Sequence, residues 1–572
     1  MKQYMCDFET STEMWLDIDE EARVWASCIC TIEEEPKVLF IDNSIDDFMK
    51  NLESLGNCEA FFHNLKYDGE YIVSYLLSHG YNYDPKGKSV HSFSVIISDV
   101  GQWYQIKITY KRFNKRVVRC TIYDSLKKLP LKVERLAKTF NLPISKLSID
   151  YDEYRPVGYK LTEEEKNYVS NDCLIVAKCL YIQFSKELEK MTIGSDALNN
   201  FKGTIGGKNG FKYLFPVLPI DVDNDFRLAY KGGFTAVNPK YRNKILSGIS
   251  FDVNSLYPSV MYGKMGKLPY GYPVRYQGKY IPNEKYPLYI QKFSCKFKVK
   301  KDHIPTIQMK GNYLFKQTEY IRDSGGIVDM VLTSVDMELF FKHYDVKNIK
   351  YECGYMFKGA ETLFREYIDY WMSIKATSTG GMRQLAKLML NSLYGKFATN
   401  PKRANKIPFL DENEEVVLEL QDPEINDPVY TAMGAFVTSY ARRWTISSSQ
   451  ALFKYWVYSD TDSMYLTGIT EEEASKYISI HPTNLGEWKL EHHFTRGKWL
   501  RPKTYILDSI EDGLTVTCAG MPDNIKNELI KYGTTRAFRR FTYGRKFEGK
   551  LTPKRVKGGV VLCKTEFTIA EL

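Results

Sequence analysis

Two carboxylates stand two residues apart in YSDTDS, Tyr458 to Ser463, between strand-like apolar runs. Each disfavours ionisation of the other unless positive charge lies between them, and a divalent cation supplies such a charge. The hexapeptide also has the composition of a turn joining two strands. Further acids ask the same question. Asp7 and Glu9 are two apart in MKQYMCDFET, Asp68 follows Asn64 by four in AFFHNLKYDGEYI, Asp172 follows Tyr168 by four in NYVSNDC, and Asp252 leaves an apolar segment in SFDVNSLYPSVM. Taken singly, each reads equally as a helix cap or a surface charge.

The elements that must carry these residues follow from periodicity. Alternation makes MKQYMCDFET a strand with Asp7 and Glu9 on one face and Cys6 and Phe8 on the other. LTEEEKNYVSNDCLIVAKCLYIQF is a long helix opened by a capping box, Thr162 as N-cap and Glu165 at N3, with Val169, Cys173, Val176, Leu180 and Phe184 as its buried stripe. Tyr168 and Asp172 lie one turn apart beside that stripe. RQLAKLMLNSLYGKF, from Arg383, is a strong helix former up to Gly395, which reads as its C-cap. Arg383, Lys387, Asn391 and Tyr394 share one face, and Leu385, Met389 and Leu393 another. Two cations four residues apart repel, so an anion between them is favourable, and a triphosphate satisfies both.

The order D-x-E, N-x-x-x-D, Y-x-x-x-D resembles the proofreading 3′-5′ exonuclease domain of the DEDDy type, a ribonuclease H-like fold. The resemblance implies that Asp7, Glu9, Asp68 and Asp172 hold two divalent ions and that Tyr168 orients the attacking water. It also implies contacts to a frayed single strand from Thr10, Asn64, Tyr67, Ser125, Leu126 and Lys146. The chain departs from the pattern at Ser148 in KLSIDY, where relatives carry an acid.

The later motifs D-x-x-S-L-Y-P, K-x-x-x-N-S-x-Y-G and Y-x-D-T-D-S, in that order, resemble family B DNA polymerases. LNSLYGKFATNP, DSLKKLP, AGMPDNIK, the YKGGF at Tyr230 and the KTY at Lys503 are similar to the protein-primed polymerases of small phages and linear replicons. Under this resemblance Asp252, the Val253 carbonyl and Asp462 hold two Mg²⁺ ions per active site, with Mn²⁺ able to substitute, and Asp460 is a weaker or outer ligand. Lys375, Arg383 and Lys387 bind triphosphate, and Tyr257 excludes a 2′ hydroxyl with Tyr394 and Asn391 beside it. Tyr230, Gly232, Gly233, Lys503 and Tyr505 meet DNA. Pro502 in RPKTY is a departure, because it has no N–H to donate.

The fold class implied is multidomain α/β: a ribonuclease H-like exonuclease domain followed by a palm, fingers and thumb with two insertions. The expected boundaries are exonuclease 1–190, palm 191–262 and 428–525, fingers 360–396 and thumb 526–572. The 134 residues between Asp252 and Lys387 leave room for a first terminal protein region at 263–359. KIPFLDENEEVVLEL reads as a β-hairpin and becomes the second such region, 397–427. The expected partners are template and primer DNA, dNTPs and a terminal protein whose hydroxyl starts synthesis, with strand displacement as a further activity.

Composition bounds these readings. A chain of 572 residues exceeds one hydrophobic core, so several domains are required. Net charge is +9 but segregated: residues 1–60 hold 4 basic and 15 acidic side chains, whereas residues 526–572 hold 12 basic and 4 acidic. Basic and aromatic residues interleave in RAFRRFTYGRKF, as a phosphate backbone with exposed bases requires. Eleven cysteines without a CxxC pair argue against zinc and disulfides. No apolar run is long enough for a membrane span, and the acidic N-terminus does not resemble a targeting peptide. A cytoplasmic location is expected, the host cell's if the chain is of phage origin. Three other readings stand: a nuclease whose C-terminal half only binds nucleic acid, a non-catalytic DNA-binding protein, and a polymerase primed only by nucleic acid. Seven acids in two ordered sets argue against the non-catalytic one.

Overall fold

The computed structural model describes residues 1–113, 116–309, 315, 316 and 318–571, with backbone only for 111–113 and 116. Residues 310–314 and 317, within the expected 263–359 segment, and residues 114, 115 and 572 lie outside the described residues. Among the described residues no helix is long and apolar enough to cross a membrane.

The N-terminal part is built on an eight-stranded sheet with Lys2–Thr10 inside it. That strand runs antiparallel to Val24–Thr31 and parallel to Cys58–Phe62, which in turn is parallel to Arg116–Asp124. Alternation sends Tyr4, Cys6 and Phe8 into one core and Met5 into another, where the helix Glu163–Phe184 packs with Val169, Cys173, Val176 and Leu180. Asp7 and Glu9 have the parity of Met5, so they project on the side that this helix covers. The capping box forms with both reciprocal bonds.

A seven-stranded sheet organises the C-terminal part, in the order Gly513–Cys518, Thr504–Ser509, Trp488–Arg501, Ile245–Val253, Ser463–Leu466, Trp456–Asp460, Thr235–Val237. Thr461 and Asp462 are the two-residue turn of a hairpin in which Asp460 pairs with Ser463, and Thr461 takes a left-handed backbone at φ 59°. The turn reading and the chemical reading of YSDTDS thus describe the same residues. The next strand pairs Asp252 with Ser463, and the Val253 N–H donates to the Asp462 carbonyl (2.8 Å). Pro502 and Lys503 form another hairpin turn, between Arg501 and Thr504, where the missing N–H of proline removes no ladder bond.

A separate four-stranded sheet spans Leu268–Gln277, Leu288–Val299, Val328–Thr333 and Tyr344–Ala360. The hairpin Lys406–Leu410 with Val416–Leu420 forms, and its Val416 is buried in the N-terminal core. The last hairpin, Lys546–Val556 with Gly559–Thr568, also returns to the N-terminal part: Arg555 binds Glu70 (2.6 Å) and the Tyr71 hydroxyl donates to the Val560 carbonyl (2.5 Å). Lys557, at its tip, pairs with Glu414 in the turn of the 406–420 hairpin (2.5 Å). One sequence expectation fails here. The helix Gly380–Phe397 runs through Gly395 and ends at Ala398, because Phe397 is fully buried and holds the last turn in place.

An ion pair buried between elements ties the C-terminal part together. Arg442, on the helix Thr431–Ala451, bonds Asp336 (2.6 Å), Ser439 (2.9 Å) and the carbonyls of Lys231 (2.7 Å) and Gly232 (2.8 Å). Burial works against the Asp336 carboxylate, but Arg442, Lys231 and the bond from Ser439 outweigh it and hold its pKa below the ordinary 3.8. A depressed folded-state pKa contributes stability that is complete above the unfolded value and is lost as pH falls through the folded one. Asp336→Asn is therefore expected to lower the melting temperature at pH 7, with the gap to wild type narrowing below about pH 4. Melting curves between pH 3 and 7 check this; a gap independent of pH would show that the charge is not what stabilises.

Candidate functional site

Two clusters of acids form, one in each half. In the first, Asp7 and Glu9 come from the central strand, Asp68 from the first turn of Leu65–Ser78, and Asp172 with Tyr168 from the capped helix. Glu9, Asp68 and Asp172 are buried. Burial, with the like charge of Asp172, pushes the Asp7 carboxyl up to about 7, and burial with Asp7 raises Glu9 and Asp68. Lys146 ion-pairs one oxygen of Asp172, while the other, Oδ1, is buried without a hydrogen-bond partner. The Tyr168 hydroxyl bonds that of Tyr151.

The expected strand contacts surround this cluster. Thr10 and Tyr67 share a hydroxyl bond (2.9 Å). Asn64 is the N-cap of the Asp68 helix, held with φ 80°, and its N–H donates to Asp124 (3.0 Å), which also accepts from the Leu126 N–H (2.9 Å). Ser125 bonds His63 (2.9 Å). Ser148 is exposed. Sequence reading missed Tyr151, His63 and Asp124. Asp124, inside the quoted DSLKKLP, carried a signal, since an Asp just before a helical turn is a cap.

The second cluster opens on a cavity of about 1050 Å³ lined by Asp252, Val253, Tyr257, Lys375, Arg383, Lys387, Asn391, Tyr394 and Asp462. Burial and the charges of Asp462 and Glu491 push the Asp252 carboxyl up to about 8, against Lys387 and Lys489. Burial also raises Asp462, despite a bond from its own backbone N–H. Lys375 reaches the Ser255 hydroxyl (2.8 Å), and burial with Lys387 and Arg383 lowers its pKa. Arg383 donates to the Lys375 carbonyl (2.5 Å), and Tyr257 stacks on Tyr394 with ring centroids 4.1 Å apart.

Asp460 does not line this cavity; its oxygens accept from Thr235 (3.0 Å) and Tyr458 (3.1 Å) and pair with Lys503 (3.3 Å). The Lys503 N–H donates to the Tyr458 hydroxyl (3.0 Å), and Tyr505 lies against Tyr458 with centroids 5.4 Å apart. Tyr230 ends the helix Ile220–Ala229. A Cβ on Gly233 would sit 2.7 Å from Thr461 Oγ1, so glycine is required where this segment crosses the turn. Glu491 and Lys489 were missed because strand alternation carries them in from a segment with no motif.

Among the described residues no three His, Cys, Asp or Glu side chains stand close enough, as arranged, to hold an ion. The donor set nevertheless fits one. All the groups are hard oxygens of the kind Mg²⁺ takes, they are like-charged and buried or half-buried, and Asp172 Oδ1 lacks a partner.

The family model of organellar and viral type B DNA polymerases matches residues 56–480. The chain belongs to that family. This polymerase is 44% identical to the DNA polymerase of Bacillus phage phi29 over 99% of both chains, and 32% identical to that of Streptococcus phage Cp-1 over 99% of this chain and 98% of the other. A solved structure of the phi29 enzyme with primer-template DNA and incoming nucleotides covers 99% of this chain and 100% of its own, with a TM-score of 0.91. The polymerase is therefore a multidomain α/β enzyme and a DNA-directed DNA polymerase, and family membership implies dependence on divalent metal.

Proposed function

We propose that this chain is a protein-primed replicative polymerase that extends DNA at the Asp252–Asp462 cavity and removes 3′ nucleotides at the Asp7–Asp172 cluster. The observation that carries this is the cavity itself, where the carboxylates of Asp252, Asp462 and Glu491 face Lys375, Arg383, Lys387 and Lys489 and a pair of stacked tyrosines. The phi29 enzyme solved with primer-template DNA and nucleotides supports DNA and dNTPs as its ligands. In this reading the exonuclease is 1–190, the palm 191–262 and 428–525, the fingers 360–396, the thumb 526–572, and 263–359 and 397–427 are the terminal protein regions.

When bound, Mg²⁺ ions would lower the pKa of the primer hydroxyl and neutralise charge on the leaving pyrophosphate. Asp252, Asp462 and the Val253 carbonyl would hold them. Lys375, Arg383 and Lys387 draw in the triphosphate and compensate the charge that grows on it. Tyr257, stacked on Tyr394 at the cavity wall, sets its ring where a ribose 2′ hydroxyl would meet it. Lys503, paired to Asp460, and Tyr505 hold the primer end. In the other half, Tyr168 holds the attacking water by its hydroxyl and Lys146 balances charge at Asp172.

Incubating the polymerase with a candidate terminal protein, labelled dNTP and Mg²⁺ tests the priming mode. A covalent dNMP adduct on a Ser, Thr or Tyr is expected; extension of DNA primers without any adduct would favour nucleic-acid priming. The 406–420 hairpin reaches the N-terminal core and meets the thumb tip through Glu414 and Lys557, which supports its closing around DNA. Deleting residues 400–426 is then expected to shorten products on a single-primed circle by about tenfold or more, because avidity from encirclement is lost. Products of unchanged length would sink the hairpin role.

A further inference from the structure

Residues 141–162 contain neither helix nor strand, yet this loop delivers Lys146 to Asp172 and Tyr151 to Tyr168. A loop that must place two side chains needs something rigid behind it. Arg155 is that element. It is 2% exposed, and its Nη1 donates to the carbonyls of Asp150 (3.0 Å) and Glu153 (2.7 Å), on either side of Tyr151. Its Nε donates to Glu165 (2.5 Å), and its guanidinium stacks 4.3 Å from the Trp25 ring centre.

Glu165 is the capping-box residue. Its Oε2 accepts from the Thr162 N–H (2.9 Å) and hydroxyl (3.1 Å), while Oε1 takes Arg155. One carboxylate therefore caps the helix and grips the loop. Tyr168 follows it by three residues and Asp172 by seven, so the same helix end that Arg155 holds carries both partners of the loop's side chains. The far side of the loop is also closed, by Tyr154 packing edge-on to Trp15 and bonding Asp19 (2.6 Å).

We infer that Arg155 is a positioning residue for 3′-end hydrolysis: through Glu165 it fixes the register of the loop on the helix and so sets where the Tyr151 hydroxyl meets that of Tyr168. This rests on the exonuclease reading above. A lysine keeps the charge but not the planar fork that bridges the carboxylate and two carbonyls.

The test measures degradation of a labelled single strand by the full chain with Mg²⁺. Arg155→Lys is expected to lower kcat about 10-fold or more, the scale of losses when an orienting partner is removed, with KM within about twofold of wild type. Primer extension and the melting temperature report folding and should remain near wild type; should Arg155→Lys fail to fold, Glu165→Gln, which retains an acceptor for the cap, is expected to give the same kcat loss. Adding Arg155→Lys to Tyr151→Phe should cost no more than Tyr151→Phe alone, because both act on one hydroxyl. An unchanged kcat, or a full multiplicative loss in the double variant, overturns the positioning role. Wild-type chain that degrades nothing, or degradation that survives Asp7→Ala, overturns the exonuclease reading instead.

Discussion

Asp462→Ala is expected to reduce nucleotide incorporation by roughly 10³-fold or more while single-strand degradation continues. A metal clamp on transferring phosphate is worth several kcal/mol, at about 1.4 kcal/mol per tenfold. The substitution is clean for a structural reason. The Asp462 N–H donates to the Asp460 carbonyl (2.7 Å) and its carbonyl accepts from Val253 (2.8 Å), so the backbone holds the turn without the side chain. The left-handed residue of the turn is Thr461, which is untouched. Loss of activity would thus report the carboxylate and not a collapsed hairpin. Primer extension with limiting and saturating dNTP separates the effects: the loss should appear in kcat. Incorporation at wild-type rate would reject the site, and a simultaneous loss of degradation would point to misfolding.

Asp460 shows where spacing stops informing. Two carboxylates two residues apart look equivalent on paper, but the hairpin turn between them sends Asp462 into the cavity and Asp460 towards Thr235 and Lys503. Segments with a single strong period were readable: the Lys2–Thr10 strand by alternation, the Glu163–Phe184 helix by its cap and stripe, and the 406–420 hairpin by two apolar runs around DENEE. Their side chains are placed by local geometry. What escaped depends on distant partners. Arg442 sits beside Arg443 in a helix of mixed composition and is set apart by its bonds to Asp336 and the Lys231 and Gly232 carbonyls, more than a hundred residues away. Glu491 faces Asp252 across a sheet from a strand with no motif of its own. Gly395 was misread for the opposite reason: a local stop signal is overridden by burial of Phe397. Resemblance supplied the roles, since no periodicity distinguishes a carboxylate that holds an ion from one that caps a helix.

The second large effect concerns the N-terminal cluster, where function and stability should move in opposite directions. Asp7 sits at its centre: burial and Asp172 raise its pKa to about 7, and it in turn raises Glu9 and Asp68. Four acids held together with Lys146 opposite them repel, and each is also desolvated. Asp7→Asn removes one of those charges at constant shape. In chelator-treated protein at pH 8 it is expected to raise the melting temperature of this part of the chain; a gain of about 1 kcal/mol corresponds to roughly 2–4 °C for a domain of this size. The same change should lower 3′-end degradation by roughly 10³-fold or more with Mg²⁺ present, because an ion would lose a ligand shared with its neighbours. Primer extension should persist, since the Asp252 cavity draws no lining residue from the first strand. Calorimetry in chelator, paired with degradation and extension assays in Mg²⁺, reads all three. A variant less stable than wild type without metal would mean that Asp7 is held by favourable contacts and not crowded by its neighbours. Degradation at the wild-type rate would remove the cluster from the chemistry altogether.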